Sequence, residues 1–113
     1  MTRGEIYTAA ARGAYTGKPR PVVIVQDDRF DATASVSVCP FTTNAIEAPL
    51  VRIQIQPSQE NGLDRPSSLV VDKITTVPRS GLSERLGRLR DDELLQLNRS
   101  LMVFLGLASS PQA

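Results

Sequence analysis

The sequence predicts a mainly β domain: a small, strongly bent antiparallel sheet or barrel with one helix at its C-terminal end. Three observations lead there. The first two thirds of the chain divide into short apolar or alternating runs punctuated by Gly, Pro and Asn. The final stretch alone carries a helical repeat, in Leu94, Leu97, Leu101, Phe104 and Leu105. A length of 113 residues suits a single unit with a modest core, taken as residues 1–108 with a fraying tail at 109–113.

Gly4–Ala9 reads as the opening strand, with Ile6 flanked by Glu5 and Tyr7. A loop from Ala10 to Pro21 contains Gly13, Gly17, Pro19 and Pro21. Val22 to Val25 is a continuous apolar run, the pattern of a strand covered on both faces. After a charged connection at Asp27 to Ala34, Ser35–Cys39 alternates, with Val36 and Val38 on one face. Pro40 is expected to end that strand or place it at an edge, because it has no N–H to donate. Leu50–Gln56 gives the clearest period of two, with Val51, Ile53 and Ile55 on one face and Arg52, Gln54 and Gln56 on the other. Asn61-Gly62 marks a tight turn. A strand over Ser68–Ile74 is expected to run on to Val77 through a bend or bulge, and a short strand to follow at Glu84–Leu89. Asp91 is the expected N-cap of the helix and Gly106 its stop. Leu95, Met102 and Val103 widen the apolar surface beyond one stripe, which suits a partner subunit or plain core packing.

Composition excludes several kinds of chemistry. The chain has no His, which removes His-based acid–base catalysis, Ser-His and Cys-His pairs, and His-containing zinc sites. Cys39 is the only cysteine, so no intramolecular disulfide forms, and it reads as a buried structural residue. Asp27, Asp28 and Asp31 read as a solvated turn rather than metal ligands, and no cofactor is expected. No apolar window approaches the ~20 residues a membrane helix needs, and a cytoplasmic protein is expected. Net charge is only +1, yet eleven of the thirteen basic residues are Arg, whose planar fork suits phosphate. They gather at Arg3, Arg12, Lys18 and Arg20 and again at Arg79 to Arg90, so folding can build a basic face on a nearly neutral molecule.

Several segments in order resemble the MazF/PemK/Kid toxins. They are Arg3-Gly4-Glu5-Ile6-Tyr7, then Gly17-Lys18-Pro19-Arg20-Pro21 with the Val22–Val25 run, then Val38-Cys39-Pro40-Phe41-Thr42-Thr43. Asn61-Gly62-Leu63, Pro66-Ser67, Val71-Asp72-Lys73-Ile74 and the helix from Asn98 to Leu107 complete the likeness over nearly the whole chain. The resemblance implies an SH3-like barrel of the CcdB/PemK fold, assembled as a homodimer. It implies metal-independent cleavage of single-stranded RNA by the ribose 2′-hydroxyl, giving a 2′,3′-cyclic phosphate and a 5′-hydroxyl. It also implies inhibition by a MazE-like antitoxin that lays an acidic, apolar tail over the RNA groove. Two other readings remain open: a non-enzymatic CcdB-like topoisomerase poison, and a catalytically weak RNA-binding relative.

That reaction requires removal of the hydroxyl proton, stabilisation of the phosphorane charge and protonation of the leaving oxygen. Charge stabilisation is usually the largest contribution. Arg20, held between Pro19 and Pro21, is the first candidate, and the resemblance makes its position catalytic. Thr42 matches the family's catalytic threonine, with Thr43 as an auxiliary donor to RNA. Asp72 stands where some relatives carry a catalytic Asp, and a structural salt bridge is the alternative role. Where other relatives place a catalytic Arg or Glu, this chain has Val70 and Tyr15. Lys18, Arg12 and Arg79 are candidate phosphate contacts, and Tyr15 and Phe41 candidate platforms for a stacked base.

Overall fold

The computed structural model describes residues 1–10, 19–44 and 46–108. Seven strands form one antiparallel sheet: β1 (Glu5–Ala9), β2 (Arg20–Ile24), β3 (Ser35–Thr42), β4 (Arg52–Ile55), β5 (Ser67–Val70), β6 (Thr75–Pro78) and β7 (Leu82–Arg88). A single helix, α1 (Asp91–Phe104), follows. The strands run in the order β4-β5-β3-β2-β1-β7, with β6 paired to β3 off this path. The mainly β class with a terminal helix is as expected.

Val22 to Val25 is covered on both faces, as its unbroken apolar run requires. Val23 and Val25 join the main core, with Ile6, Ile55, Leu69, Leu89, Leu97 and Leu101. Val22 and Ile24 face the opposite way, into a smaller cluster with Ala9, Val36 and Val38. The strand begins at Arg20, so Pro21 belongs to β2 and not to the preceding loop.

Pro40 does not end β3. The Val25 N–H donates to the Ser37 carbonyl at 3.0 Å, so odd-numbered residues of β3 turn their backbone groups toward β2. The N-side of Pro40 therefore faces the other flank. There β6 pairs only as far as Val38, and β5 begins pairing at Phe41. The missing donor falls in the gap where β3 changes partners, so a proline sits inside a central strand without costing a ladder bond.

The expected single strand after Ser68 is broken by a 3-10 turn at Val71–Lys73 that separates β5 from β6. This turn lets one segment serve two places on β3. The path is also not closed by strand pairing: among the described residues β4 and β7 are its two unpaired ends. They are joined instead through the turn before β5. The Arg88 N–H donates to the Glu60 carbonyl at 2.9 Å, and Gly62 and Gly87 pack backbone to backbone across the seam. Gly62 has φ +68, and a Cβ on it would lie 2.2 Å from the Leu86 carbonyl oxygen. A Cβ on Gly87 would lie 2.1 Å from the Glu60 oxygen. Two glycines thus close the bent sheet.

Helix α1 packs against β4 and the turn at Val71–Lys73. Its N-cap is Arg90 rather than Asp91; the Glu93 carboxylate accepts the Arg90 N–H at 2.9 Å, the return half of a capping box. Gly106 ends the helix, with Leu107 N–H donating to the Met102 carbonyl at 2.8 Å and Gly106 N–H to that of Val103 at 3.2 Å, a Schellman motif. Of the expected buried stripe, Leu97 and Leu101 enter the core and Leu94 packs on its rim. Phe104 and Leu105 do not: they are 42% and 51% exposed and lie with Met102 and Val103 at an open apolar C-terminal end of the helix, while Leu95 is exposed near its start.

Candidate functional site

Strand register brings the leading candidates together. The β2–β3 pairing ends at Val22 and Pro40; carried two residues further, its register directs Arg20 toward the Thr42 end of β3. Thr42 pairs with Ser68 of β5, and Ser68 with Gln54 of β4. Directly opposed residues in antiparallel strands share a face. Thr42, Ser68 and Gln54 therefore form one polar row across three strands, and alternation along β2 puts Arg20 on the same face. The adjacent row, Phe41, Leu69 and Ile53, points the other way into the core. Alternation along each strand sets up this division, and the register of three strands aligns it.

The row floors a shallow trough. One depression of about 130 Å³ is lined by Thr42, Thr43, Asn44, Gln54, Gln56 and Ser68 among others, side chains that form hydrogen bonds without carrying charge. A neighbouring depression of about 370 Å³ shares Gln54 and Ser68 and adds Glu47, Arg52 and the apolar Ile46 and Pro49. On the other side, Thr43 and Ser67 lead to a third hollow at Pro21, Asp64 and Arg65. A neutral floor thus lies between two hollows that each hold one acid and one guanidinium, an arrangement suited to bases that present hydrogen-bonding edges.

The Thr42 hydroxyl oxygen accepts the Asn44 N–H at 3.1 Å, a local turn that fixes the side chain. Accepting that bond leaves the hydroxyl proton free to donate outward. Arg20 is exposed at the start of β2, with Ala9 of β1 as its other cross-strand neighbour. Asp72 lies in the turn after β5 and is ion-paired through Oδ1 to Nη1 of Arg52, which lies two residues along β4 from Gln54.

Two sequence expectations fail. Phe41 is only 6% exposed and belongs to the main core, so its ring offers no stacking platform. Because β3 continues through Pro40, the alternation that turns Cys39 inward turns Phe41 inward too. Arg79 is also absent from the trough. It sits beside Pro78, which pairs with Ser35 at the far end of β3, seven residues and roughly 23 Å of strand from Thr42. Its Nε donates to the Thr33 carbonyl at 2.8 Å and Nη1 lies 3.7 Å from Asp31, so it fastens the 27–34 connection. Arg12, Tyr15 and Lys18 lie outside the described residues.

Asp27, Asp28 and Asp31 each have a separate partner: Asp27 binds the Arg29 N–H and guanidinium, Asp28 accepts the Arg3 N–H, and Asp31 faces the N-terminal ammonium and Arg79. Cys39 is fully buried, and loss of solvation raises its thiol pKa to about 11, so it is an inert core residue. Sequence reading passed over Arg52, Gln54, Gln56 and Ser68. Their signal was the polar half of the β4 alternation, which identifies a solvent face but not the strand opposite it.

A sequence profile of the PemK-like, MazF-like toxins of type II toxin–antitoxin systems matches residues 2–105. The chain belongs to this family. It is 64% identical over 108 residues, 96% of this chain and 99% of the other, to a probable endoribonuclease MazF of Mycolicibacterium smegmatis. It is 30% identical over 113 residues to an endoribonuclease MazF of Staphylococcus saprophyticus, covering 95% of this chain and 92% of that one. Among solved structures the fold is that of a mycobacterial endoribonuclease in complex with its cognate antitoxin, with TM-score 0.76, 24% identity and coverage of 100% and 99% of the two chains. Mycobacterium tuberculosis toxin MazF-mt6 shares it, with TM-score 0.74, 23% identity and coverage of 90% and 96%.

Proposed function

We propose that this chain is the toxin of a type II toxin–antitoxin pair and acts as a cytoplasmic endoribonuclease on single-stranded RNA. The observation that carries this reading is the β2–β3 register, which puts Arg20 on the face of Thr42 and its neutral, hydrogen-bonding floor. The substrate supplies the nucleophile: the ribose 2′-oxygen attacks the adjacent phosphorus as the P–O5′ bond breaks, leaving a 2′,3′-cyclic phosphate and a 5′-hydroxyl. The protein's main task is to stabilise the extra charge on the phosphoryl oxygens without help from a metal. Arg20 supplies a permanent positive charge, and the Thr42 hydroxyl a donor already held by its own turn. Thr43, beside it on the trough wall, is the auxiliary donor. Lys18, Arg12 and Tyr15 are proposed as further RNA contacts on their residue types alone. An ion-paired carboxylate serves orientation better than proton abstraction, so Asp72 acts as a positioning residue through Arg52.

The exposed apolar end of α1 supports assembly with a second copy. The 64% identity to a MazF and the fold shared with antitoxin-bound relatives support a MazE-like antitoxin as the physiological inhibitor.

End-mapping of RNA cut by the purified protein in excess EDTA tests this reading. The expected result is a fixed set of cut sites bearing cyclic phosphate and 5′-hydroxyl ends, lost in Arg20→Ala. Absence of cutting in any long RNA, or 5′-phosphate ends, overturns it.

A further inference from the structure

The larger depression beside the catalytic row carries a feature that phosphate binding does not explain. Its lining includes both an acid, Glu47, and a guanidinium, Arg52, together with Gln54, Ser68 and the apolar Ile46 and Pro49. An acid in a site for phosphate would repel the ligand. A carboxylate only accepts hydrogen bonds and a guanidinium only donates them, so the pair calls for a neutral planar ligand with donors and acceptors on its edges.

We propose that this depression is a guanine-recognition subsite for one nucleotide flanking the cleaved bond, with Glu47 and Arg52 as the specificity-determining residues. The inference rests on the RNA-cleavage reading above. Guanine alone among the RNA bases presents two adjacent N–H donors, N1 and N2, to fill both oxygens of a carboxylate. On its other edge O6 and N7 are acceptors matched to arginine. The volume, about 370 Å³, admits a purine with its ribose, and Ile46 and Pro49 offer apolar surface to the ring.

Arg52 is prepared for this role. Its Nη1 is tied to Asp72 and to the Val51 carbonyl at 3.2 Å, and its side chain is only 13% exposed. Its Nε is buried without a hydrogen-bond partner among the described residues. A guanidinium restrained at one nitrogen and unsatisfied at another holds its remaining N–H groups in a fixed direction. Gln54 and Ser68 belong both to this depression and to the row containing Thr42, so a base held here lies next to the reacting phosphate.

The test uses short RNAs built on the mapped cut site, identical except that each flanking position in turn carries G, inosine, A, C or U. Inosine keeps O6, N7 and N1–H but lacks the N2 amino group. The wild type is expected to require G at one fixed position and to lose about tenfold to a hundredfold in kcat/KM with inosine there, the worth of a hydrogen bond to a charged group. Glu47→Ala, an exposed position with little part in folding, is expected to abolish the G-over-inosine difference. Arg52→Met is expected to weaken discrimination against A. Indifference of the wild type to G at every position overturns the proposal, as does a preference for C, or a G-over-inosine ratio unchanged in Glu47→Ala. Fluorescence anisotropy on short single-stranded RNAs that differ only in G or inosine content, which need no mapped cut site, separates the two readings. A G-over-inosine binding preference without any cleavage sustains the subsite and sinks the nuclease, whereas cleavage without the preference does the reverse.

Discussion

Replacing Gly87 with Ala tests how the bent sheet is closed. The new Cβ would sit 2.1 Å from the Glu60 carbonyl oxygen and 2.7 Å from the Asn61 carbonyl carbon, both backbone atoms that no side-chain rotation can move. Relief requires the seam to open by roughly 1 Å, on the scale of overpacking strain of about 1–3 kcal/mol. The neighbouring Arg88 N–H to Glu60 bond, 2.9 Å long, would be lost with it, adding about 0.5–1.5 kcal/mol. The expected destabilisation is therefore about 1.5–4.5 kcal/mol. With an unfolding entropy of about 2.1 cal/mol/K per residue, a chain of 113 residues loses about 4 °C per kcal/mol, so Tm should fall by about 6–18 °C. Thermal unfolding followed by circular dichroism measures it. Gly81→Ala is the control, since its Cβ would meet nothing closer than Pro78 Cδ at 3.9 Å. A Gly87→Ala protein that melts within about 2 °C of wild type, or a Gly81→Ala protein that loses as much, would refute the closure argument.

Arg20→Ala should slow single-turnover RNA cleavage by about 10²–10³-fold, with Tm nearly unchanged because the side chain is exposed; a comparable loss of stability would make Arg20 structural. The Cys39 thiol, raised to about 11 by burial, contributes stability that is complete below the unfolded thiol's ordinary value near ~8.5 and lost as pH rises through about 11. Urea midpoints should therefore fall between pH 8 and pH 11 more steeply for wild type than for Cys39→Ala, and equal slopes would contradict this. Native Cys39 should also resist alkylation at pH 8 until urea unfolds the chain. Val103→Asp with Phe104→Asp should shift the protein to monomer in sedimentation without lowering its helix content, because both side chains are exposed in the single chain; an unchanged sedimentation coefficient would place the contact elsewhere.

The elements that sequence reading placed well are those whose neighbours merely had to be apolar. The Val22–Val25 run needed cover on both faces and has it, and the alternation through Ile53 and Ile55 fixed which side of β4 is buried. It failed where a residue's fate depends on what lies across from it. Pro40 is tolerated because β3 changes partners at that point, which local sequence does not encode, and mistaking it for a strand end made Phe41 look accessible. Arg79 lies among arginines in sequence but is spent on Thr33 and Asp31. Arg20, Thr42 and Asp72 were named from motifs, whereas Ser68 and Gln54 emerge only once three strands are in register. Phe104 and Leu105 keep helical spacing with Leu97 and Leu101, yet both stay exposed, because spacing along a helix does not say how far its cover extends.

A double-mutant cycle on Arg20→Ala and Thr42→Val, read as single-turnover cleavage of one RNA, tests most directly whether the two side chains act on one phosphate. Groups stabilising the same charge should be strongly coupled, and the double variant should cut no more than a few-fold more slowly than the worse single variant. Losses that multiply in full would mean that Arg20 and Thr42 act independently, and would contradict the site described.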